Sequence, residues 1–162
     1  MKGGFVETVF LGDGNDTAFG GNGFDVLDGG TGLDVLHGDG GVDTLVGGNN
    51  GDGLFGGTGA DRLYGGSGAD LINSGRGTDT LAGELGRDTF VFRPGCGVDQ
   101  ITDFDLDRDT IDLPDPPYIF IPAGTSTVLH YGPGVDQGLD LDKDQITLPD
   151  INPNDAALIH IV

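Results

Sequence analysis

Nine aspartates recur at intervals of nine residues: Asp16, Asp25, Asp34, Asp43, Asp52, Asp61, Asp70, Asp79 and Asp88. Carboxylates at a fixed spacing among glycines are suited to holding hard cations through oxygen. Zinc would want nitrogen and sulfur donors, which the pattern lacks. Magnesium prefers to keep its waters, whereas calcium accepts a flexible, all-protein cage of six or more oxygens. Calcium is therefore the expected ligand. Other chemistries lack their parts. His37, His130 and His160 are the three histidines, and none sits in the HExxH arrangement of a metalloprotease. Ser67 lies in GGSGA, not in a GxSxG nucleophile elbow. Repeated aspartates could imitate a glycosidase pair, but the repeat itself accounts for them. No catalytic centre is expected.

The elements that must position these carboxylates are short and identical. From Leu11 to Val91 the chain divides without insertion or deletion into nine units of nine residues: LGDGNDTAF, GGNGFDVLD, GGTGLDVLH, GDGGVDTLV, GGNNGDGLF, GGTGADRLY, GGSGADLIN, SGRGTDTLA and GELGRDTFV. The aspartate takes the sixth place, and the eighth is Ala18, Leu27, Leu36, Leu45, Leu54, Leu63, Ile72, Leu81 and Phe90. Glycines at the first, second and fourth places permit positive φ and close backbone approach, so the first six residues can turn tightly with carbonyl oxygens aimed at one spot. The last three residues form a short strand whose middle side chain points inward while its neighbours face out. Two units make a coil of 18 residues with a strand on each side, so the predicted fold class is all-β: a parallel β-roll, or two-sheet β-solenoid. Residues 1–10 keep a faded copy of the unit, with Glu7 and Val9 in the acid and aliphatic places, and read as an amino-terminal cap.

Composition sets the energetic problem. Of 162 residues 33 are glycine, 27 are acidic and seven are Lys or Arg, giving a formal charge of -20. Such a charge repels nucleic acid and anionic lipid, attracts cations, and destabilises any compact state until something positive neutralises it. Regular placement of the acids argues against a disordered polyanion. One mainly aliphatic side chain per unit stabilises by roughly 1.5 to 3 kcal/mol when fully buried. Against it stands about 1 to 2 kcal/mol of backbone entropy for every residue fixed. Burial alone loses, so ions in the turns must supply the remainder. Turns at one end of the roll recur every second unit: Asp16, Asp34, Asp52, Asp70 and Asp88 at one end, Asp25, Asp43, Asp61 and Asp79 at the other. One ion between successive aspartates makes up to about seven, whose 14 positive charges against -20 leave about -6, ordinary for a soluble domain.

The units resemble the repeat GGxGxDxUx of the RTX, or hemolysin-type calcium-binding, family, over about half of the chain, 11–91. The resemblance implies a roll that folds when calcium is present, in a chain exported unfolded by type I secretion machinery, hence a secreted, extracellular protein. It also implies the metal-ligand positions at the second, fourth and sixth places of each unit. These are Gly12, Gly14 and Asp16; Gly21, Gly23 and Asp25; Gly30, Gly32 and Asp34; Asp39, Gly41 and Asp43; and Gly48, Asn50 and Asp52. The later units supply Gly57, Gly59 and Asp61; Gly66, Gly68 and Asp70; Gly75, Gly77 and Asp79; and Gly86 and Asp88. Asn50 replaces a fourth-place glycine, Asp39 and Glu84 second-place ones, and Leu11 and Ser74 first-place ones. Most lost ligands would be backbone oxygens that any residue supplies, and the sites beside Asn50, Glu84 and Leu11 depart furthest from the pattern.

Beyond Val91 glycine falls, and β-branched residues alternate with acids. The stretch DTFVFRPGCGVDQITDFDLDRDTIDLPD resembles the strands that close the roll in secreted RTX proteases and mannuronan epimerases, so 92–162 is expected to be a β-rich cap. DLDRDTIDLPD at Asp105–Asp115 returns as DLDKDQITLPD at Asp140–Asp150. Each copy has alternating acids (Asp105, Asp107, Asp109; Asp140, Asp142, Asp144) and an Ile-x-Leu strand stopped by proline. Thr110 and Gln145 stand where an EF-hand needs glycine, so solvated acidic turns are expected. The ending NDAALIHIV resembles a carboxy-terminal type I export signal, and a last buried strand explains it equally well. Cys96, the one cysteine, excludes an internal disulfide. Met1–Phe10 lacks the apolar run of a cleaved signal peptide, and no segment could span a bilayer as a helix. The outward column Phe19, His37, Phe55, Asn73 and Val91 is the more apolar face, expected to be packed by the cap or tail. The rival to a calcium-stabilised folding module is a polysaccharide- or partner-binding module of an extracellular enzyme or adhesin. Only Arg62, Arg76 and Arg87 are basic within the roll, which argues against a polyanionic sugar.

Overall fold

In the computed structural model, residues 7–113, 118–123, 126–131, 145–148, 151, 155 and 159–162 are described. The nonapeptides form strands β1 (Thr8–Asp13), β2 (Thr17–Gly23), β3 (Val26–Thr31), β4 (Val35–Gly41), β5 (Thr44–Asn49), β6 (Gly53–Gly59), β7 (Arg62–Gly68), β8 (Leu71–Gly77), β9 (Thr80–Gly86) and β10 (Thr89–Val91). After them come β11 (Val98–Ile101), β12 (Thr110–Asp112), β13 (Tyr118–Ala123), β14 (Ser126–Tyr131), β15 (Gln145–Leu148) and β16 (His160–Ile161). Strands β1 to β12 alternate between two sheets, ordered β1-β3-β5-β7-β9-β11-β15-β14-β13 and β16-β12-β10-β8-β6-β4-β2. The expected all-β, two-sheet parallel β-solenoid is what the chain forms.

Register follows the repeat. Leu27 pairs with Leu45, Leu45 with Leu63 and Leu63 with Leu81 in one sheet. Ala18, Leu36, Leu54, Ile72 and Phe90 stack likewise in the other. From Leu27 onward these eighth-place side chains are fully buried between the sheets.

The strands of β2 to β9 run for six or seven residues, not three: the ladder continues from the seventh place into the third or fourth place of the next unit. Identical turns stack 18 residues apart in parallel register, so glycines such as Gly30 and Gly48 pair as strand residues do. Close approach makes glycine obligatory there. A Cβ on Gly32, whose φ is +135°, would stand 1.6 Å from Gly14 O. At the second and fourth places where glycine is replaced, Asp39, Asn50 and Glu84 keep the left-handed backbone with φ of 68°, 75° and 66°, at a steric cost glycine avoids.

After Val91 the coil lengthens without losing register. Thr110 lies beneath Thr89, and Ile101 beneath Leu81. The two copies of the duplicated segment place β12 and β15 in opposite sheets, parallel to β10 and β11 respectively, with Ile111 and Ile146 fully buried. β13 and β14 form an antiparallel hairpin that continues antiparallel onto β15. The final strand β16 pairs in parallel with β12, so the apolar ending does serve as a strand. Asp140, Asp142 and Asp144 lie outside the described residues.

On the outer face Phe19, His37 and Phe55 stack with ring centroids 4.7 and 4.8 Å apart. Phe19 is 57% exposed, so the expected packing by cap or tail does not cover it. Among the described residues no helix is long and apolar enough to cross a membrane.

Candidate metal centre

Each sixth-place aspartate enters its turn just before a strand, where stacking of the coils encloses it. Asp25, Asp34, Asp43, Asp52, Asp61, Asp70, Asp79 and Asp88 are all at most 3% exposed. A carboxylate buried this far must be paired or neutralised. One oxygen of each is accounted for: Oδ1 of Asp34, Asp43, Asp52, Asp61 and Asp79 accepts the backbone N–H of the aspartate one coil earlier at 2.8 Å. The other oxygen, Oδ2, has no hydrogen-bond partner in any of the eight.

The orphaned oxygens share a setting. At Gly47, the first place of its unit, an added Cβ would stand 2.6 Å from Asp52 Oδ2 and 2.5 Å from Gly65 O. Gly38 repeats this with Asp43 Oδ2 at 2.7 Å and Gly56 O at 2.6 Å, and Gly29 with Asp34 Oδ2 at 2.5 Å and Gly47 O at 2.6 Å. The missing side chain thus leaves a small cradle, bordered by a carboxylate oxygen of one coil and a carbonyl oxygen of the next. Oxygen donors alone line it, which suits a hard cation. Among the described residues no group of three or more His, Cys, Asp or Glu side chains is arranged to hold a metal. Any ion here would therefore draw on the two carboxylates of adjacent coils together with backbone oxygens.

Electrostatics agree. Burial pushes Asp43, Asp52 and Asp61 up from 3.8 to about 6, against the backbone N–H each accepts, and neighbouring aspartates add to the rise. Burial raises Asp88 to about 7, with Asp109, Asp70 and Asp103 contributing like charge. Asp70 and Asp79 are raised for the same first reason. Carboxylates whose ionised form is disfavoured in this way are short of positive charge.

The predicted positions are therefore brought together in part. The sixth-place aspartates form two columns, one at each end of the roll, and the second- and fourth-place residues sit in the same stacked turns. Asp16 is the exception in burial, being only partly covered at the amino-terminal end. The first-place carbonyls of Gly38, Gly47, Gly56 and Gly65, which border the cradles, are donors that sequence reasoning missed. So are Asp99 and Asp109. Asp99 Oδ1 accepts Asp79 N–H at 3.0 Å and Asp109 Oδ1 accepts Asp88 N–H at 3.0 Å, so each column runs one coil past the ninth unit. Their signal was the spacing of acid and aliphatic, Asp99 to Ile101 and Asp109 to Ile111, hidden by steps of 20 and 21 residues in place of 18. Burial pushes Asp99 up to about 8, with facing Asp79 adding its charge. Ser74, first in its unit, brings its hydroxyl to 3.4 Å from Asp99 Oδ2.

Comparison with known proteins accords with this geometry. The chain matches the family described as RTX calcium-binding nonapeptide repeat, in four copies, over residues 3–32, 10–45, 19–54 and 55–90. Among solved structures it is similar to the AlgE6R3 subunit of a mannuronan C5-epimerase from Azotobacter vinelandii. The two share 31% identity over 82% of this chain and 80% of that one, with a TM-score of 0.52. It is also similar to the extracellular lipase LipA of Serratia marcescens, at 18% identity and a TM-score of 0.46, spanning 40% of the lipase's length. No curated protein sequence matches.

Proposed function

Because the chain belongs to the RTX calcium-binding nonapeptide repeat family, we propose that it is a calcium-dependent folding module of a secreted protein, with no catalysis of its own. Residues 1–10 serve as amino-terminal cap, 11–91 as the calcium-holding roll and 92–162 as carboxy-terminal cap. The second-, fourth- and sixth-place residues, joined by the first-place carbonyls, hold the ions. Calcium bound there supplies the positive charge that the enclosed carboxylates lack. One observation carries the reading: eight buried Oδ2 atoms without a partner, repeated in register beside glycine cradles. Leaving such atoms bare costs several kcal/mol apiece in principle, so a metal-free roll is poorly stable, and binding energy becomes folding energy. In a low-calcium cytosol the chain would stay unfolded and exportable by type I machinery, then fold outside.

Circular dichroism during calcium titration tests this, with calorimetry for stoichiometry. A cooperative gain of β signal is expected, at about seven ions or slightly more per chain, and no equal response to magnesium. A chelated sample that keeps the full β signal and melting temperature would refute it.

A second reading is favoured by the partly exposed stack Phe19, His37 and Phe55: a contact face for a neutral polysaccharide or another domain. A glycan array in calcium distinguishes the two, since silence there leaves only the folding role.

A further inference from the structure

We propose that Asn50 is a site of spontaneous covalent modification: with Gly51 it closes to a succinimide, then opens to aspartate or isoaspartate, while the roll stays folded. This goes beyond the calcium reading and depends only on the fold.

The chemistry requires an asparagine followed by an unencumbered main-chain nitrogen, and glycine, lacking a Cβ, offers the least hindered one. Once Gly51 N–H has given its proton to a solvent base, the nitrogen attacks Asn50 Cγ. The new N–Cγ bond forms as Cγ–Nδ2 breaks, and Nδ2 takes a proton from solvent and departs as ammonia. Water then adds to one of the two ring carbonyls. Breaking N–Cγ gives aspartate. Breaking the bond from Gly51 N to the main-chain carbonyl carbon of residue 50 gives isoaspartate, whose main chain runs through the former side chain. No oxidant or reductant takes part.

The fold selects this one asparagine. Among the described residues are Asn15, Asn22, Asn49, Asn50 and Asn73. Of these, Asn22 and Asn50 precede glycine, and both are exposed. What separates them is the ladder. Asn22 and Gly23 belong to β2, in register with Gly40 and Gly41 of β4, and Gly23 O accepts Val42 N–H at 3.1 Å. The Asn22 carboxamide lies against Gly40, its Oδ1 3.0 Å from where a Cβ would stand. Asn50 and Gly51 fall instead in the gap between β5, which ends at Asn49, and β6, which opens at Gly53. Neither the Asn50 carboxamide nor Gly51 N–H makes a hydrogen bond to the described residues. The others are held: Asn15 Oδ1 accepts Leu33 N–H at 2.9 Å, Asn73 Oδ1 accepts Gly75 N–H at 3.1 Å, and Asn49 pairs with Thr31 and Ser67.

The site exists because asparagine tolerates the left-handed backbone that the fourth place demands. Asn50 keeps φ at 75° and so preserves the turn, but it sets an amide beside Gly51. The two products differ in effect. Asn50 O packs against Gly68 of the next coil so closely that no Cβ fits there. Isoaspartate adds a methylene to that main chain and forces the stacked turns apart, whereas aspartate leaves the path intact and adds a negative charge to the turn of Asp52.

The test is peptide mapping by mass spectrometry of the calcium-loaded chain held in mildly alkaline buffer, beside the same chain in denaturant and chelator. Unfolded, Asn22 and Asn50 should convert from amide to acid at similar rates. Folded, Asn50 should continue to convert, while Asn22 slows at least about tenfold because its reaction waits for the ladder to open locally. Equal rates at the two in the folded chain would overturn the proposal. So would a folded chain that keeps Asn50 intact over the time the unfolded chain loses it. Asn50→Gly, which restores the residue usual at the fourth place, should abolish the early ammonia release of the folded chain; undiminished release would place the reaction elsewhere. Should that variant fail to fold, the native map still decides.

Discussion

At the scale of the residue, each aspartate divides its work between two oxygens. Asp52 Oδ1 receives the N–H of Asp34 at 2.8 Å and locks one coil to the next, while Oδ2 stands bare beside Gly47. Because Asp52 stands between Asp34 and Asp70 in its column, it should serve the interval above and the one below. Asp52→Ala is expected to lower calcium stoichiometry by about two and raise the calcium midpoint of folding. Asp52→Asn, which keeps an acceptor for the N–H, should lose the ions with a smaller folding penalty. Unchanged stoichiometry in both would refute the pairing of turns. Place six of every unit was readable without coordinates, because acid, glycine and aliphatic kept one period. Position one was not, since its contribution is a carbonyl, which every residue type carries and no pattern of side chains can mark.

At the scale of the element, a strand here is also half a turn. The first-place glycine must leave its side-chain volume vacant, so Gly47→Ala should abolish the ion beside Asp52, because its Cβ meets Asp52 Oδ2 at 2.6 Å and Gly65 O at 2.5 Å. Gly53→Ala is the control. That site opens β6, its nearest contact is Phe55 Cε2 at 3.4 Å, and alanine there should be neutral or stabilise by about 0.5–1 kcal/mol. Calcium titrations of the pair measure both outcomes, and equal effects would remove the cradle from the argument. The parallel two-sheet arrangement and inward aliphatic file were legible from the nonapeptides alone. Strand length was not, because glycines that look like loop residues become ladder residues once a twin turn lies 18 residues away. Nor was the continuation through Asp99 and Asp109, where Pro94 and Gly95 begin a longer connection that shifts the count while the ladder keeps its register.

At the scale of the whole molecule, acid and calcium act as substitutes. Folded, metal-free Asp43, Asp52 and Asp61 titrate near 6 and Asp88 near 7, above the ordinary 3.8. Across that window the fold binds more protons than the unfolded chain. Its stability is therefore fully present below 3.8 and is lost as pH rises through 6 to 7. A chelated sample should gain β signal on acidification from about pH 7.5 to about pH 4.5, with no calcium added. Loss of signal over that range would contradict the burial of these groups. The same competition should weaken calcium binding on the acid side.

The pairing of every strand with the one two units along has a further consequence for how such a chain can be shortened. Excising 18 consecutive residues removes one storey and lets the remaining floors close up with all columns aligned. Excising nine turns everything downstream about face: residues that belonged to one wall are delivered to the other. An excision of nine between Phe19 and Phe55 would also sever their ring stack with His37, which alternate units build. Length in this protein is thus counted in pairs, and an odd edit scrambles its outer surface even though every unit left behind is intact.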